Sequence, residues 1–116
     1  MKRQRAERGG RRAETLAAWW LRLQLWTIVG RRVRTPRGEV DLVARRGKVL
    51  AFIEVKARAT VDQADLALDD HRLRRVAAAA EALAPRYARE GDTIRIDAIF
   101  VVPGRLPRHL PDVWRG

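Results

Sequence analysis

The sequence predicts an α/β domain in which a mixed central sheet is flanked by helices, with elements in the order αβββαβ. Three observations lead to this prediction: an apolar helix-forming segment near the N-terminus, two β-branched runs joined by a short turn, and a second amphipathic helix followed by a strand. Strands separated by a helix favour a mixed sheet with helices packed on it. With 116 residues, of which 47% are hydrophobic, the chain can form one domain with a single core.

The first helix and the first strand are predicted from composition. Residues 13–25 are rich in Ala, Leu and Arg and contain no Gly or Pro, which favours a helix. This segment is apolar on nearly every side, which is typical of a helix buried on more than one side or lying in an interface. Residues 26–33 are β-branched and aromatic and predict a strand, bent at Gly30. A turn at 35–38 follows, because Pro36 presets the backbone and a glycine tolerates positive φ.

The second helix is predicted over residues 69–89, where apolar side chains recur at helical spacing. Asp69 or Asp70 can cap its N-terminus, and Pro85 predicts a kink or a break near the C-terminal end. Residues 93–102 form a strong strand. Three prolines after it exclude any long regular element.

The chain is divided by composition into three parts. Residues 1–12 form a basic N-terminal arm with six basic residues and one acidic residue, a net charge of +5. Residues 13–102 form the folded domain, and residues 103–116 form an irregular, Pro-containing tail packed on it. The other residues retain +6 of the total +11, so the basic character is distributed along the chain.

The net charge of +11 predicts a polyanionic partner, and nucleic acid, above all DNA, is the first candidate. A chain without cysteine has no disulfide, no thiolate zinc site and no cysteine nucleophile, and it fits a reducing compartment. The apolar stretch at 16–29 is broken by polar residues and is shorter than the ~20 residues that a membrane span needs. We therefore expect a cytoplasmic protein that does not bind membranes.

The residues that suggest chemistry lie on a predicted hairpin with strands at 39–44 and 49–56. If the turn is 47–48, Asp41 lies directly opposite Glu54; if it is 46–47, Asp41 lies opposite Phe52 and diagonal to Glu54. In either register, alternation along the strands puts Asp41, Glu54 and Lys56 on one face, within roughly 5–8 Å at Cβ.

Two carboxylates and a lysine on one face have two interpretations. A hard divalent cation such as Mg²⁺ is typically held by one or two carboxylates, with water and phosphate oxygens completing its shell. Lys56 would then orient or deprotonate a water, or stabilise developing negative charge. The alternative is an ordinary exposed sheet face with alternating charges, because Glu-x-Lys is a common pattern.

Two segments, Gly-Glu-Val-Asp-Leu-Val-Ala at 38–44 and Phe-Ile-Glu-Val-Lys-Ala-Arg at 52–58, resemble the signature of the YraN-like family of small bacterial proteins. The resemblance extends over roughly residues 9–114. It implies a restriction-endonuclease-like fold, whose αβββαβ core agrees with the predicted order of elements. The closest functional relatives of that family are archaeal Holliday junction resolvases.

The resemblance also implies a site and an activity. By position in the motifs, Glu14, Asp41, Glu54 and Lys56 would form the catalytic site, and the three acids would hold Mg²⁺ or Mn²⁺. Glu39 adds a third carboxylate at the same edge, either as support for these ligands or as an exposed acid at the start of the strand. His71 stands where the family usually has a lysine and would contact a phosphate or the metal-site water. The implied function is a Mg²⁺-dependent nuclease that hydrolyses DNA phosphodiester bonds, with branched DNA as a candidate substrate. The alternative is a non-catalytic nucleic-acid-binding protein that keeps the fold with a vestigial site.

Two further predictions concern surfaces. Four arginines are expected to contact nucleic acid, although a solvated basic face is the alternative: Arg37, Arg58, Arg72 and Arg75. Trp19 and Trp20 project at about 100° to each other on the first helix, so one of them exceeds what a single sheet face can cover. This predicts a homodimer through the first helix, unless apolar residues of the tail cover the same surface.

Overall fold

The computed structural model describes residues 2–62 and 66–114, with side chains from Gly10 onward. Its elements confirm the predicted order αβββαβ and add one short strand in the tail. They are α1 (Lys2–Leu23), β1 (Thr27–Thr35), β2 (Gly38–Arg46), β3 (Val49–Ala57), α2 (Asp70–Tyr87), β4 (Thr93–Val101) and β5 (Arg108–Leu110).

The five strands form one mixed sheet in the order β1-β2-β3-β4-β5. Neighbouring strands are antiparallel except for β3 and β4, which are parallel. A parallel pair needs a crossover connection, and α2 lies in the connection between these two strands. The mixed sheet flanked by helices is therefore confirmed.

The two helices pack against opposite faces of the sheet and give the domain two buried clusters. Alternation along β3 separates them, because Ile53 packs in the cluster with α1 and Phe52 packs in the cluster with α2. On the helices, Leu21 belongs to the first cluster and Leu73 to the second. The side chains of β3 that precede the candidate site thus point alternately to the α1 face and to the α2 face, and burial on both faces fixes which side chain points to which.

The helix ends differ from the sequence prediction in two places. α1 begins at Lys2 instead of residue 13, because helix-forming residues on both sides of the two glycines at 9–10 carry the helix through them. It ends at Leu23, and Leu25 has a φ of 70°, which a helix cannot continue through. α2 continues through Pro85 to Tyr87, so the predicted break is absent. Its N-cap is Asp69, whose side chain accepts a hydrogen bond from the amide of His71.

The tail is anchored to the sheet by a buried carboxylate. Asp97 on β4 is fully buried and accepts hydrogen bonds from both Nε and Nη2 of Arg95, each at 2.9 Å. It also accepts from the backbone amide of Asp112 at 2.9 Å and contacts Nε2 of His109 at 2.7 Å. In the described ranges, no helix is long and apolar enough to cross a membrane.

Candidate metal and nucleic-acid site

The hairpin adopts the first of the two registers considered for it. β2 and β3 pair from Arg46 opposite Val49 to Leu42 opposite Ile53, with Gly47 and Lys48 as the turn. Extending this pairing by one residue places Asp41 opposite Glu54. The tight turn is possible because Gly47 has a φ of 60°, a left-handed conformation that glycine adopts without strain.

Asp41 lies where this pairing ends. Its Oδ2 atom accepts a hydrogen bond from the amide of Val55 at 2.7 Å, so a side chain takes the acceptor role that a strand carbonyl would have. On β1, the position facing Asp41 is Arg32, which has a φ of 49°, unusual for a non-glycine residue. Across this irregularity the buried face of β2 changes, since Val40 packs with the α2 cluster and Leu42 with the α1 cluster. The hydrogen bond from Val55 therefore holds the Asp41 carboxylate at the end of the β2–β3 pairing.

The surroundings of Asp41 disfavour its ionised form. Burial, followed by the negative charge of Glu54, raises the pKa of Asp41 from 3.8 to about 7. The amide of Val55 lowers this pKa, the charge of Glu14 raises it and the charge of Lys56 lowers it, each by less than burial does. A nearby cation would offset both dominant effects.

Glu54 and Lys56 form a buried ion pair on the α2 face of β3. Lys56 Nζ lies 2.6 Å from Glu54 Oε1, and both side chains are nearly inaccessible to solvent. Buried charges require such compensation. The predicted shared face of these two residues is therefore present, and the lysine directly contacts the acid.

Glu14 is held by a residue that the sequence did not single out. Arg32 Nε lies 2.6 Å and 3.1 Å from the two oxygens of this carboxylate, which is 5% exposed. Arg32 is one of several arginines in β1, and no spacing distinguishes it from its neighbours. The backbone of Arg32 is left-handed at the point where its side chain reaches Glu14 on α1. Sequence patterns do not predict that conformation for arginine.

Two open cavities meet at the acids of β2. The first, here called the α2 cleft, has a volume of about 280 Å³ and is lined by Glu39, Asp41, Glu54, Arg72, Arg75 and Val76. The second, the α1 cleft, has a volume of about 310 Å³, and its polar lining consists of Arg11, Glu14, Arg32, Arg34, Glu39 and Asp41. Glu39 and Asp41 line both clefts. Acids therefore occupy the centre of the site, and arginines from α1, β1 and α2 lie on either side.

Four predicted residues line neither cleft, and one of them is Lys56, which is buried beside Glu54. His71 is exposed at the start of α2 and lines neither of them. Arg37 is exposed, with Nη2 at 3.5 Å from Glu81. Arg58 lines a third cavity, beside α1. Of the four arginines expected to contact nucleic acid, the α2 cleft thus includes Arg72 and Arg75.

No ready-made cluster of three metal-ligating side chains occurs in residues 2–62 and 66–114. Two of the predicted metal ligands are instead paired with cations of the chain, since Glu14 contacts Arg32 and Glu54 contacts Lys56. Three carboxylates, those of Glu39, Asp41 and Glu54, line the α2 cleft without forming such a cluster.

Comparison with known proteins supports the resemblance read from the motifs. A family model described as uncharacterised protein family UPF0102 matches residues 13–101. A UPF0102 protein of Sphingopyxis alaskensis is 64% identical over 115 residues, covering 99% of both chains. UPF0102 proteins of Rhizorhabdus wittichii and Erythrobacter litoralis are 58% and 56% identical over the same length, each covering 99% of this chain and 98% and 99% of their own.

Proposed function

The chain belongs to the uncharacterised protein family UPF0102, the YraN-like family, and we propose that it is a Mg²⁺-dependent nuclease that hydrolyses DNA phosphodiester bonds. The observation that carries the proposal is the placement of Asp41 and Glu54 in one cleft with Arg72 and Arg75. Acids that suit a divalent cation and guanidinium groups that suit phosphate are the two components that phosphodiester hydrolysis needs.

The donor set around Asp41 fits Mg²⁺ or Mn²⁺. These ions prefer carboxylate oxygens and commonly bind through one or two carboxylates, with water and substrate phosphate completing the shell. Asp41 uses one oxygen for the amide of Val55 and lines both clefts with the rest of its carboxylate. Asp41 and Glu54 would hold the ion, and Glu14 would join them only by leaving Arg32. Such an ion supplies charge neutralisation of the phosphate and a water of lowered pKa.

The remaining residues of the cleft have distinct tasks. Arg72 and Arg75 bind the non-bridging oxygens of the phosphate and orient the strand, since guanidinium groups match phosphate geometry. Lys56 does not line the cleft; its ammonium group lies 2.6 Å from Glu54 Oε1 and neutralises that acid, and it would donate to an attacking water only by leaving Glu54. The α1 cleft, with Arg11 and Arg34, receives the neighbouring phosphates.

The experiment that tests this proposal is cleavage of a panel of branched, single-stranded and duplex DNAs with Mg²⁺ or Mn²⁺. We expect products that depend on the metal and disappear with EDTA. Cleavage of an equivalent RNA panel defines the sugar requirement. Absence of cleavage from every DNA at micromolar protein, with both metals, contradicts the proposal.

A second candidate, a non-catalytic nucleic-acid-binding protein, is favoured by the two ion pairs. Glu14 and Glu54 are each already neutralised by a cation of the chain, and such acids need no metal. Calorimetric titration with Mn²⁺ separates the candidates. A nuclease binds the ion and loses it on Asp41→Asn, whereas a vestigial site binds DNA in the presence of EDTA and takes up no ion.

A further inference from the structure

A further cavity lies away from the acids of the candidate site and is mainly apolar. It has a volume of about 850 Å³ and lies between α1, the C-terminal ends of β3 and β4, and the segment after β4. We call it the α1 groove. The proposed function does not use it.

Large apolar side chains line the α1 groove without being buried. Leu16 and Trp19 on α1 are 44% and 52% exposed, and Leu106 across the groove is 68% exposed. Pro103 and Pro107 flank the segment that carries Leu106, and Gly104 has a φ of 74°, typical of a tight turn. A leucine held out on a stiff turn loses little conformational entropy when a partner covers it. Contiguous exposed apolar surface of this kind marks an interaction site.

The charges on the rim of the groove are all of one sign. Arg12 lies on the α1 side, Arg58 follows β3 and Arg105 lies on the turn. None of the described residues that line the groove is acidic. Apolar side chains surrounded by cations are complementary to an apolar segment flanked by Asp or Glu.

We propose that the α1 groove binds a short amphipathic segment of a partner protein, with apolar anchors flanked by acidic residues. Amphipathic segments dock in apolar grooves of this size through a few anchor side chains. Nucleic acid fits less well, because the groove is formed mainly by Leu, Val, Ala and Pro, with Trp19 as the sole aromatic ring among its described lining residues. A second copy of the chain fits less well, because a two-fold contact through this groove would bring the same arginines together.

The proposal is tested by fluorescence anisotropy with the full chain and three labelled peptides. The first carries Leu and Phe at helical spacing among Glu residues, the second replaces its apolar residues by Ser, and the third replaces its acids by Gln. We expect the first to bind most tightly and both others to bind at least about tenfold more weakly. Equal binding of the first and second peptides would mean attraction by net charge alone and overturns the proposal, as does no binding of the first.

A matched pair of variants locates the binding. Leu106→Ala and Leu25→Ala remove the same atoms from exposed leucines, but only Leu106 lines the groove. Leu106→Ala should weaken binding of the first peptide about tenfold, and Leu25→Ala should leave it unchanged. Equal affinities for the two variants place the peptide elsewhere and overturn the proposal. Thermal unfolding checks that both variants remain folded.

Two other occupants give distinct results. A dimer in sedimentation that Leu106→Ala dissociates shows that the groove pairs two copies of the chain, and it overturns the proposal. Displacement of the first peptide by single-stranded DNA, together with weaker DNA binding by Leu106→Ala, assigns the groove to nucleic acid and also overturns it. Asp41→Asn should bind the first peptide as tightly as the original chain does, because Asp41 lies outside the α1 groove. Peptide binding therefore tests the groove even if the nuclease proposal fails.

Discussion

Asp41 and Glu54 are the residues on which metal-dependent cleavage would depend. We predict that Asp41→Asn and Glu54→Gln each lower cleavage with Mg²⁺ by at least about a hundredfold, because the ion contributes several kcal/mol of charge stabilisation. The fold should survive in Asp41→Asn, since the amide oxygen of Asn can still accept from Val55. Gel-based cleavage rates and DNA affinity measured side by side check this.

DNA affinity should stay close to that of the original chain in both variants, because binding comes from arginines. Glu90→Gln, at an exposed turn, is the control and should cleave normally. Undiminished cleavage by either site variant would show that the acids of the hairpin are not the metal ligands.

Asp97 makes the domain sensitive to acid. Although burial raises the pKa of Asp97, hydrogen bonds from His109, Arg95 and the amide of Asp112 outweigh it and lower this pKa from 3.8 to about 2. An ionised carboxylate has no proton to donate, so His109 donates from Nε2. Because the folded state favours the charged form, the stabilisation is complete above about pH 4 and is lost as the pH falls towards 2.

We predict that Asp97→Asn lowers the free energy of unfolding at pH 7 by about 3 kcal/mol, since it leaves Arg95 half-buried without its counter-charge. The difference from the original chain should shrink between pH 4 and pH 2, where Asp97 itself becomes protonated. Urea unfolding at a series of pH values measures this. A difference that stays constant over that range would mean that the carboxylate charge contributes nothing.

At the scale of elements, the α2 cleft depends on a close approach of α2 to the start of β2. A Cβ atom on Gly38 would lie 2.7 Å from the backbone oxygen of Arg75, a distance at which the helix must shift. We predict that Gly38→Ala lowers the free energy of unfolding by about 1–3 kcal/mol through overpacking. It should also weaken DNA binding, because Arg75 lines the cleft.

Gly10→Ala is the matched control for this change. Gly10 lies in α1, and a Cβ atom there meets nothing within 4 Å. Replacing a helical glycine by alanine should raise the free energy of unfolding by about 1 kcal/mol. Denaturant unfolding of both variants measures these opposite changes in the free energy of unfolding. A Gly38→Ala variant as stable as the original chain would contradict the close approach of α2 to β2.

Much of this architecture follows from sequence periodicity and much of the site does not. The apolar run that begins residues 49–56 and the helical stripe after Asp69 predict the sheet, the hairpin and α2, because β3 is buried on both faces and α2 on one. Two features of the site depend on contacts between elements, which no local pattern encodes: the hydrogen bond from Val55 to Asp41, and the left-handed Arg32 that holds Glu14. The pairing of Glu14 with Arg32 therefore could not be predicted.

For the molecule as a whole, the excess of 11 positive charges gives an attraction to polyanions that is independent of the cleft. Such attraction falls with salt, and each neutralised phosphate on duplex DNA contributes about −0.9 to the slope of log K against log salt. Net charge alone would make all exposed arginines equivalent. The two clefts instead predict that arginines beside the acids contribute more than arginines elsewhere.

Two pairs of substitutions on and beside α2 decide between these possibilities. Arg72→Gln with Arg75→Gln removes two charges that line the α2 cleft, and Arg86→Gln with Arg89→Gln removes two exposed charges from the other end of the helix and beyond it. We predict that the first double variant reduces the salt slope by about 2, because two phosphate contacts are lost, and that the second leaves it nearly unchanged. Fluorescence anisotropy with one duplex at a series of salt concentrations measures both slopes. Equal reductions in the two variants would mean that DNA follows the net charge of the molecule and does not lie in the cleft beside Asp41 and Glu54.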